Sequence, residues 1–320
     1  MTTSGFRADA SIVLDFGAAA DDANFLGNLS AIASVGGLLW TASDEGRTLE
    51  CLEPDGDGFR LKMQVSLDAI FPGLPGDKDE VDIESLDAAT DRLLICGSHC
   101  QVRKKPENKD EIQSEIRSRP SRHLLGTVSL ARDGALGDDI VNLPFKGPDS
   151  LREMLRENPF LMPFIDLPSK ENGLDIEGCC FSGDNVLLGL RGPLLDSIAV
   201  VIEVHIRPRG TLAAELTTHF LDLGGLGVRE LTRFGHEVLL IAGPVSSAAG
   251  PFRLYRWTPA RLGTIQRPRA FHEWSSSEEH PEGMCPLPRD GKSGLLILYD
   301  SPDRGRIEGT RYRADWVRFV

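Results

Sequence analysis

Short apolar runs dominate this chain, and five of them are preceded by the same polar step. The five steps are Asn28-Leu-Ser-Ala31, Asp82-Ile-Glu-Ser85, Asp175-Ile-Glu-Gly178, Val228-Arg-Glu-Leu231 and His280-Pro-Glu-Gly283. Their third positions are Ser30, Glu84, Glu177, Glu230 and Glu282. After a turn, each is followed by a second apolar run, beginning at Leu38, Leu93, Val186, Val238 and Leu295. Three of the four intervals between the third positions agree closely, and the one from Glu84 to Glu177 is longer. Repetition of short apolar segments at a fixed period is the mark of a repeat architecture.

Two further strands are expected in each unit. In the first they are Thr48–Leu52 and Phe59–Val65, joined by Glu53-Pro-Asp-Gly-Asp-Gly58, a strong hairpin signal. In the second they are Leu124–Leu130 and a run near Ile140, in the third Ala199–Ile206 and Ala214–Leu221, and in the fourth Phe252–Trp257 and Arg269–Trp274. The fifth unit has one, Tyr312–Phe319. The strand it lacks is supplied by Ser11–Phe16, which precedes the first unit and belongs to none. The long interval is filled by two insertions, at about 101–122 and 147–171. The first is charged, with a helix expected at Glu111-Ile-Gln-Ser-Glu-Ile116; the second carries a helix start at Asp149-Ser-Leu-Arg and a stop at Asn158-Pro.

Four antiparallel strands per unit, arranged radially, make an all-β fold: a five-bladed β-propeller closed by the N-terminal strand against the C-terminal one. Six blades would require the insertions to form a degenerate blade. Either way residues 1–320 read as one domain, because a blade is stable only packed between neighbours.

Charge narrows the partners. A net charge of −13 argues against nucleic acid and against anionic lipid. There is no secretory leader pattern at the N-terminus and no apolar stretch long enough to span a bilayer. The six cysteines follow no disulfide-framework or zinc-ribbon spacing, so reduced thiols and a cytoplasmic location are expected.

Propeller geometry converges the repeated acidic positions at one mouth of the central channel. Both insertions belong to that face, where they either build the site or shield a blade edge. Bare carboxylates in a narrow channel repel, so some are protonated, or arginines offset them, or a hard cation is bound. The metal candidates are Asp82, Glu84, Asp175, Glu177 and Glu282, with Ca²⁺ the ion their oxygens suit. Glu84, Glu177 and His280 are the candidate catalytic groups. Lys170, Arg191, Arg229 and His99 are the candidate ligand-binding groups. Nucleophile-elbow, P-loop and His-Glu-x-x-His motifs are absent.

The run Lys170-Glu-Asn-Gly-Leu-Asp-Ile-Glu-Gly178 through Leu188-Gly-Leu-Arg-Gly-Pro193 resembles the propeller family known as domain of unknown function 3616, and the likeness runs from about Asn28 to Tyr299. More distantly, Asp-Ile-Glu-Gly before an inner strand is similar to a motif of phytase-like and esterase-like propellers, which implies carboxylates near calcium. It matches at Asp175 and Glu177 and in part at Asp82 and Glu84, whereas the further acidic calcium loops of phytases are missing here. Two functions stay open. One is a metal-assisted hydrolase of small, anionic esters, phosphoesters or lactones. The other is a non-catalytic module whose protein partner binds the insertion-bearing rim.

Overall fold

A computed structural model describes residues 8–21, 25–89, 91–108, 110–206, 212–246, 250–260, 263–274 and 279–319. It is all-β and propeller-like. The first group of strands is Leu29–Val35, Leu38–Ser43, Thr48–Asp55 and Gly58–Ser66. The second is Ile83–Ala88, Arg92–Gly97, Leu125–Leu130 and Leu136–Asn142. The third is Asp175–Ser182, Asn185–Gly192, Ala199–Ile206 and Leu212–Leu221, and the fourth Gly227–Phe234, Glu237–Gly243, Arg253–Trp257 and Arg269–Glu273. In the fifth, His280–Pro286, Gly294–Asp300 and Arg311–Arg318 are completed by Ala10–Asp15, whose Leu14 pairs antiparallel with Tyr312. Leu14 and Asp15 also lie parallel to Phe59 and Arg60, so one sheet runs without a break through the fifth and first groups.

The pattern of burial explains why the strands read as continuous apolar runs rather than alternating ones. Each group is covered on both faces by its neighbours, so Val238 to Ala242, for example, are all buried. The core is accordingly divided into five separate clusters, each drawn from two adjacent groups. Trp40 and Leu49 meet Ile83 and Ile95; Leu94 and Leu125 meet Ile176 and Leu188. Val201 meets Val228 and Leu240, Leu239 meets Met284 and Ile297, and Leu296 and Tyr312 meet Ile32 and Leu39. No group holds a core of its own, so none is stable alone. The first strands of successive groups pack in turn, and that of the fifth returns to that of the first.

The helix expected at 111–116 is not formed. The first insertion is instead a small hairpin in which Gln101–Arg103 pairs with Ile116–Ser118. Arg103 fastens the intervening segment by donating to the carbonyls of Gln113 and Ser114. The second insertion does carry a helix, Leu151–Arg156, preceded by Ser150 as N-cap. Arg103 also bonds Glu171, and Gln101 donates to Asp166, which ties the two insertions together.

The first strand of every group is interrupted at the same place. Its pairing skips Ser30, Glu84, Glu177 and Arg229, and in the fifth group it is irregular across Glu282 and Gly283. These are β-bulges, which turn one residue out of the ladder and re-aim its side chain. In the fourth group the bulged residue is Arg229, whereas the sequence repeat pointed to Glu230. The ring at this level therefore holds one hydroxyl, three carboxylates and one guanidinium.

Candidate functional site

The bulges bring side chains from different groups together. Glu84, Asp175 and Glu177 each place a carboxylate oxygen within 4.8 Å of the other two, the one such acidic or metal-ligating group among the described residues. Asp175 and Glu177 are buried. Glu84 lies deep in the protein yet keeps part of its surface open, as a residue lining a channel does.

Two arginines are woven between these carboxylates. Arg191 places Nη1 2.6 Å from Glu177 Oε1 and pairs through Nη2 with Asp175. Arg229 places Nε 2.8 Å from Glu177 Oε2 and pairs through Nη2 with Glu282. The order Asp175, Arg191, Glu177, Arg229, Glu282 is thus a chain of alternating charge across three groups of strands. Asp82 is held separately: Arg122 Nη1 is 2.8 Å away, and the Ser98 hydroxyl donates to it. Arg122 also pairs with Glu80, as does Arg119. Among the described residues no hydrogen bond or ion pair reaches the Glu84 carboxylate.

These environments set the proton affinities. Burial drives the Glu84 carboxyl well above the usual range, and Glu177, Asp82 and Asp175 push it further. Asp175 is raised to about 6 by burial, against the pull of Arg191. Asp44, just past the second strand of the first group, is raised to about 8 by burial, Asp82 and Asp300. Burial would lower Arg191, but Asp175 and Glu177 outweigh it and hold the guanidinium charged. Counting Glu282, four carboxylates face two guanidinium groups, an excess of two negative charges. Protons or one divalent cation can cancel it.

One residue beyond the bulges, the groups are tied to one another. Glu230 crosses from the fourth group to accept a hydrogen bond from Ser85 of the second at 2.7 Å, and its Oε1 also accepts from Leu231 N. Gly178 occupies the equivalent place in the third group, where an added Cβ would stand 2.7 Å from Leu231 N and 2.8 Å from Glu230 C.

The other residues singled out from the sequence take different positions. His280 is half-exposed at the rim, 3.7 Å from Asp300 and tilted against Phe252. His99 is buried in a left-handed turn (φ 54°), stacks on His123, and has Nε2 3.2 Å from the Leu124 carbonyl; burial holds its pKa well below the usual value. Lys170 is exposed on the turn Ser169–Glu171. Arg122 is a site residue that the sequence pattern does not mark: it closes an insertion and lies forty positions from Asp82. Asp44 had a signal, its place directly after a second strand.

No curated protein sequence matches the chain. Among solved structures it is similar to the glutaminyl cyclase of Myxococcus xanthus, with 11% identity over 98% of this chain and 97% of that one, at a TM-score of 0.48. It is similar to an exo-β-1,3-galactanase of Phanerochaete chrysosporium, with 11% identity over 91% of this chain and 60% of that one (TM-score 0.46). A third likeness is to the PQQ-bound aldose sugar dehydrogenase of Streptomyces coelicolor, with 11% identity over 96% and 98% of the two chains (TM-score 0.39). These likenesses are distant, and neither the fold nor the chemistry derived above rests on them. Residues 28–314 match the family model described as Protein of unknown function (DUF3616), and the chain belongs to that family.

Proposed function

We propose that the chain is a closed five-bladed β-propeller, a single domain, whose channel mouth holds a hard divalent cation and serves metal-assisted hydrolysis of a small ester, lactone or phosphoester. Five bulged first strands, five inter-group cores and the pairing of Leu14 with Tyr312 support five blades. The first insertion, a two-stranded hairpin, does not supply a sixth.

The observation that carries the functional reading is Glu84: a carboxylate without a partner among the described residues, facing Asp175 and Glu177 across a few ångströms. The donors are all carboxylate oxygens, the set preferred by Ca²⁺. Glu177 Oε2 is buried without a hydrogen bond, which leaves it a lone pair to offer. Glu84, Asp175 and Glu177 would hold the ion, while Asp82 and Glu282 are committed to Arg122 and Arg229. When bound, such a cation supplies Lewis acidity. Arg191 keeps Asp175 and Glu177 in place, and His280, beside Asp300, would be the general base. Arg191 and Arg229 bind carboxylates of the protein itself, so in this reading they orient the site rather than receive an anionic substrate. Six unpaired cysteines support a cytoplasmic location. No helix among the described residues is long and apolar enough to cross a membrane.

A second reading rests on the insertions, where Ile112, Phe160 and Met162 are 89%, 50% and 54% exposed. There the rim docks a protein and the acidic cluster is structural.

The deciding experiment is thermal unfolding in EDTA and in CaCl2 or MnCl2, for the wild type and Glu84→Gln. A cation at a hundred times its Kd stabilises by about 2.7 kcal/mol, and the variant should lose that gain. A wild type indifferent to both ions refutes the metal reading. If the gain is seen, aryl esters, lactones and phosphoesters are the substrates to try. No turnover, with a protein captured through the 101–122 hairpin, favours the docking reading.

A further inference from the structure

Glu282 belongs to the bulge ring but not to the group of three carboxylates. Its partner is Arg229, which is 7% exposed and held on three sides. Nη2 is taken by Glu282, Nε is 2.8 Å from Glu177 Oε2, and the guanidinium carbon stands 5.9 Å from the Phe252 ring centre. Gly243 makes room for this arrangement: an added Cβ would lie 2.4 Å from Phe252 Cε1 and 3.1 Å from Arg229 Cγ.

The contact between Arg229 and Glu177 has an unusual form. The two atoms are close enough for a hydrogen bond, yet both Arg229 Nε and Glu177 Oε2 are buried without one. The N–H is out of line with the oxygen. The guanidinium thus lies beside Glu177 without an in-line hydrogen bond to it, while its Nη2 pairs with a second carboxylate, Glu282. A planar guanidinium released from Glu282 would turn to grip Glu177 with two parallel N–H groups, the arrangement it prefers with a carboxylate.

We infer that Glu282 is a positioning residue: by holding Arg229 it keeps Glu177 Oε2 available to a cation shared with Glu84 and Asp175. This rests on the cation reading proposed above. It assigns Glu282 a role other than ligand, exerted through Arg229, and makes Arg229 an internal competitor for the cation.

The test has two arms on the full chain. In the first, MnCl2 is titrated by calorimetry or electron paramagnetic resonance. Glu282→Gln should weaken binding about tenfold, the usual scale for engaging a charged acceptor. Glu282→Asp should stay close to wild type, and Glu282→Gln combined with Arg229→Met should regain the lost affinity. Unchanged binding in Glu282→Gln, or a double variant as weak as the single one, overturns the inference. In the second arm, the Arg229 Nε–H resonance is followed by ¹H–¹⁵N spectroscopy without any cation. It should move downfield in Glu282→Gln as a hydrogen bond to Glu177 forms, and hold its position in Glu282→Asp. A resonance indifferent to Glu282→Gln refutes the positioning role. A wild type that binds no Mn²⁺ defeats the cation reading itself, and the second arm still decides whether Glu282 sets the Arg229 orientation.

Discussion

The second and third groups of strands open alike, with Asp82-Ile-Glu84 and Asp175-Ile-Glu177, and place their acids on the same bulge, yet the two pairs meet opposite fates. In the third group both carboxylates are locked by arginine. In the second, only Asp82 is, and Glu84 stands alone. The difference comes from the end of the partner strand. Where the third group has Arg191, the second has Ser98, which reaches Asp82 but carries no charge. Of the four acids, three are held by arginine and only Glu84 has no ion pair among the described residues. An identical motif therefore does not mark an identical role; the residue opposite the bulge decides.

This contrast can be broken at several points. The largest effect is expected for Glu177→Gln, which deprives two buried arginines of a counter-ion. Removing one member of a buried ion pair costs about 3–5 kcal/mol, readable as a lower denaturation midpoint. Glu84→Gln, which has no ion pair to lose, should stay within about 1 kcal/mol of wild type and on the stabilised side, because it removes a buried acid without a partner. Equal losses in the two variants would erase the distinction.

A smaller effect is expected at the next residues along the same strands. Gly178→Ala forces a Cβ against the backbone of Glu230 and Leu231 and should cost about 1–3 kcal/mol. Ser85, at the matching place, already carries a side chain, which donates to Glu230 and accepts from Cys179 N at 2.8 Å. Ser85→Gly takes both of these hydrogen bonds away and should cost about 1–3 kcal/mol, the scale of leaving a buried donor unpaired. A chemical denaturation series on both variants measures the two losses.

The gentlest probe is pH. The folded protein keeps a proton on Asp44 up to about pH 8, whereas the unfolded chain releases it near the ordinary value of 3.8. The unfolded state thus binds fewer protons in that window, and stability falls as pH rises through it. Asp175, raised to about 6, adds a fall in the lower part of the same range. In EDTA the melting temperature should decline by a few degrees between pH 5 and pH 8, less steeply in Asp44→Asn. A flat or rising profile would contradict the crowding of acids at this mouth.

The repeat was legible because strands buried on both faces leave uninterrupted apolar runs between turns, a signal that survives without any knowledge of pairing. Glu84, Asp175 and Glu177 could be found from that repeat alone. What could not be read depends on register and on contacts distant in sequence. The bulge in the fourth group falls on Arg229 rather than Glu230, a shift of one residue that changes the sign of the charge in the ring and is set by pairing with Ala242 and Ile241. Residues 111–116 have helical spacing, but Val102 pairs with Arg117, and that pairing prevails. The same blindness applies to Arg122: nothing near it in the sequence announces Asp82.

The strand Ala10–Asp15 has a further consequence, for the order in which the protein is made. It leaves the ribosome before the five groups of strands, and its main partner, Arg311–Arg318, emerges after the first four of them. Throughout synthesis it would be a bare edge, open to stray pairing. Leu14 and Asp15, however, also lie beside Phe59 and Arg60, on the outer edge of the first group to be completed. That edge gives the early strand a berth long before its final neighbour arrives.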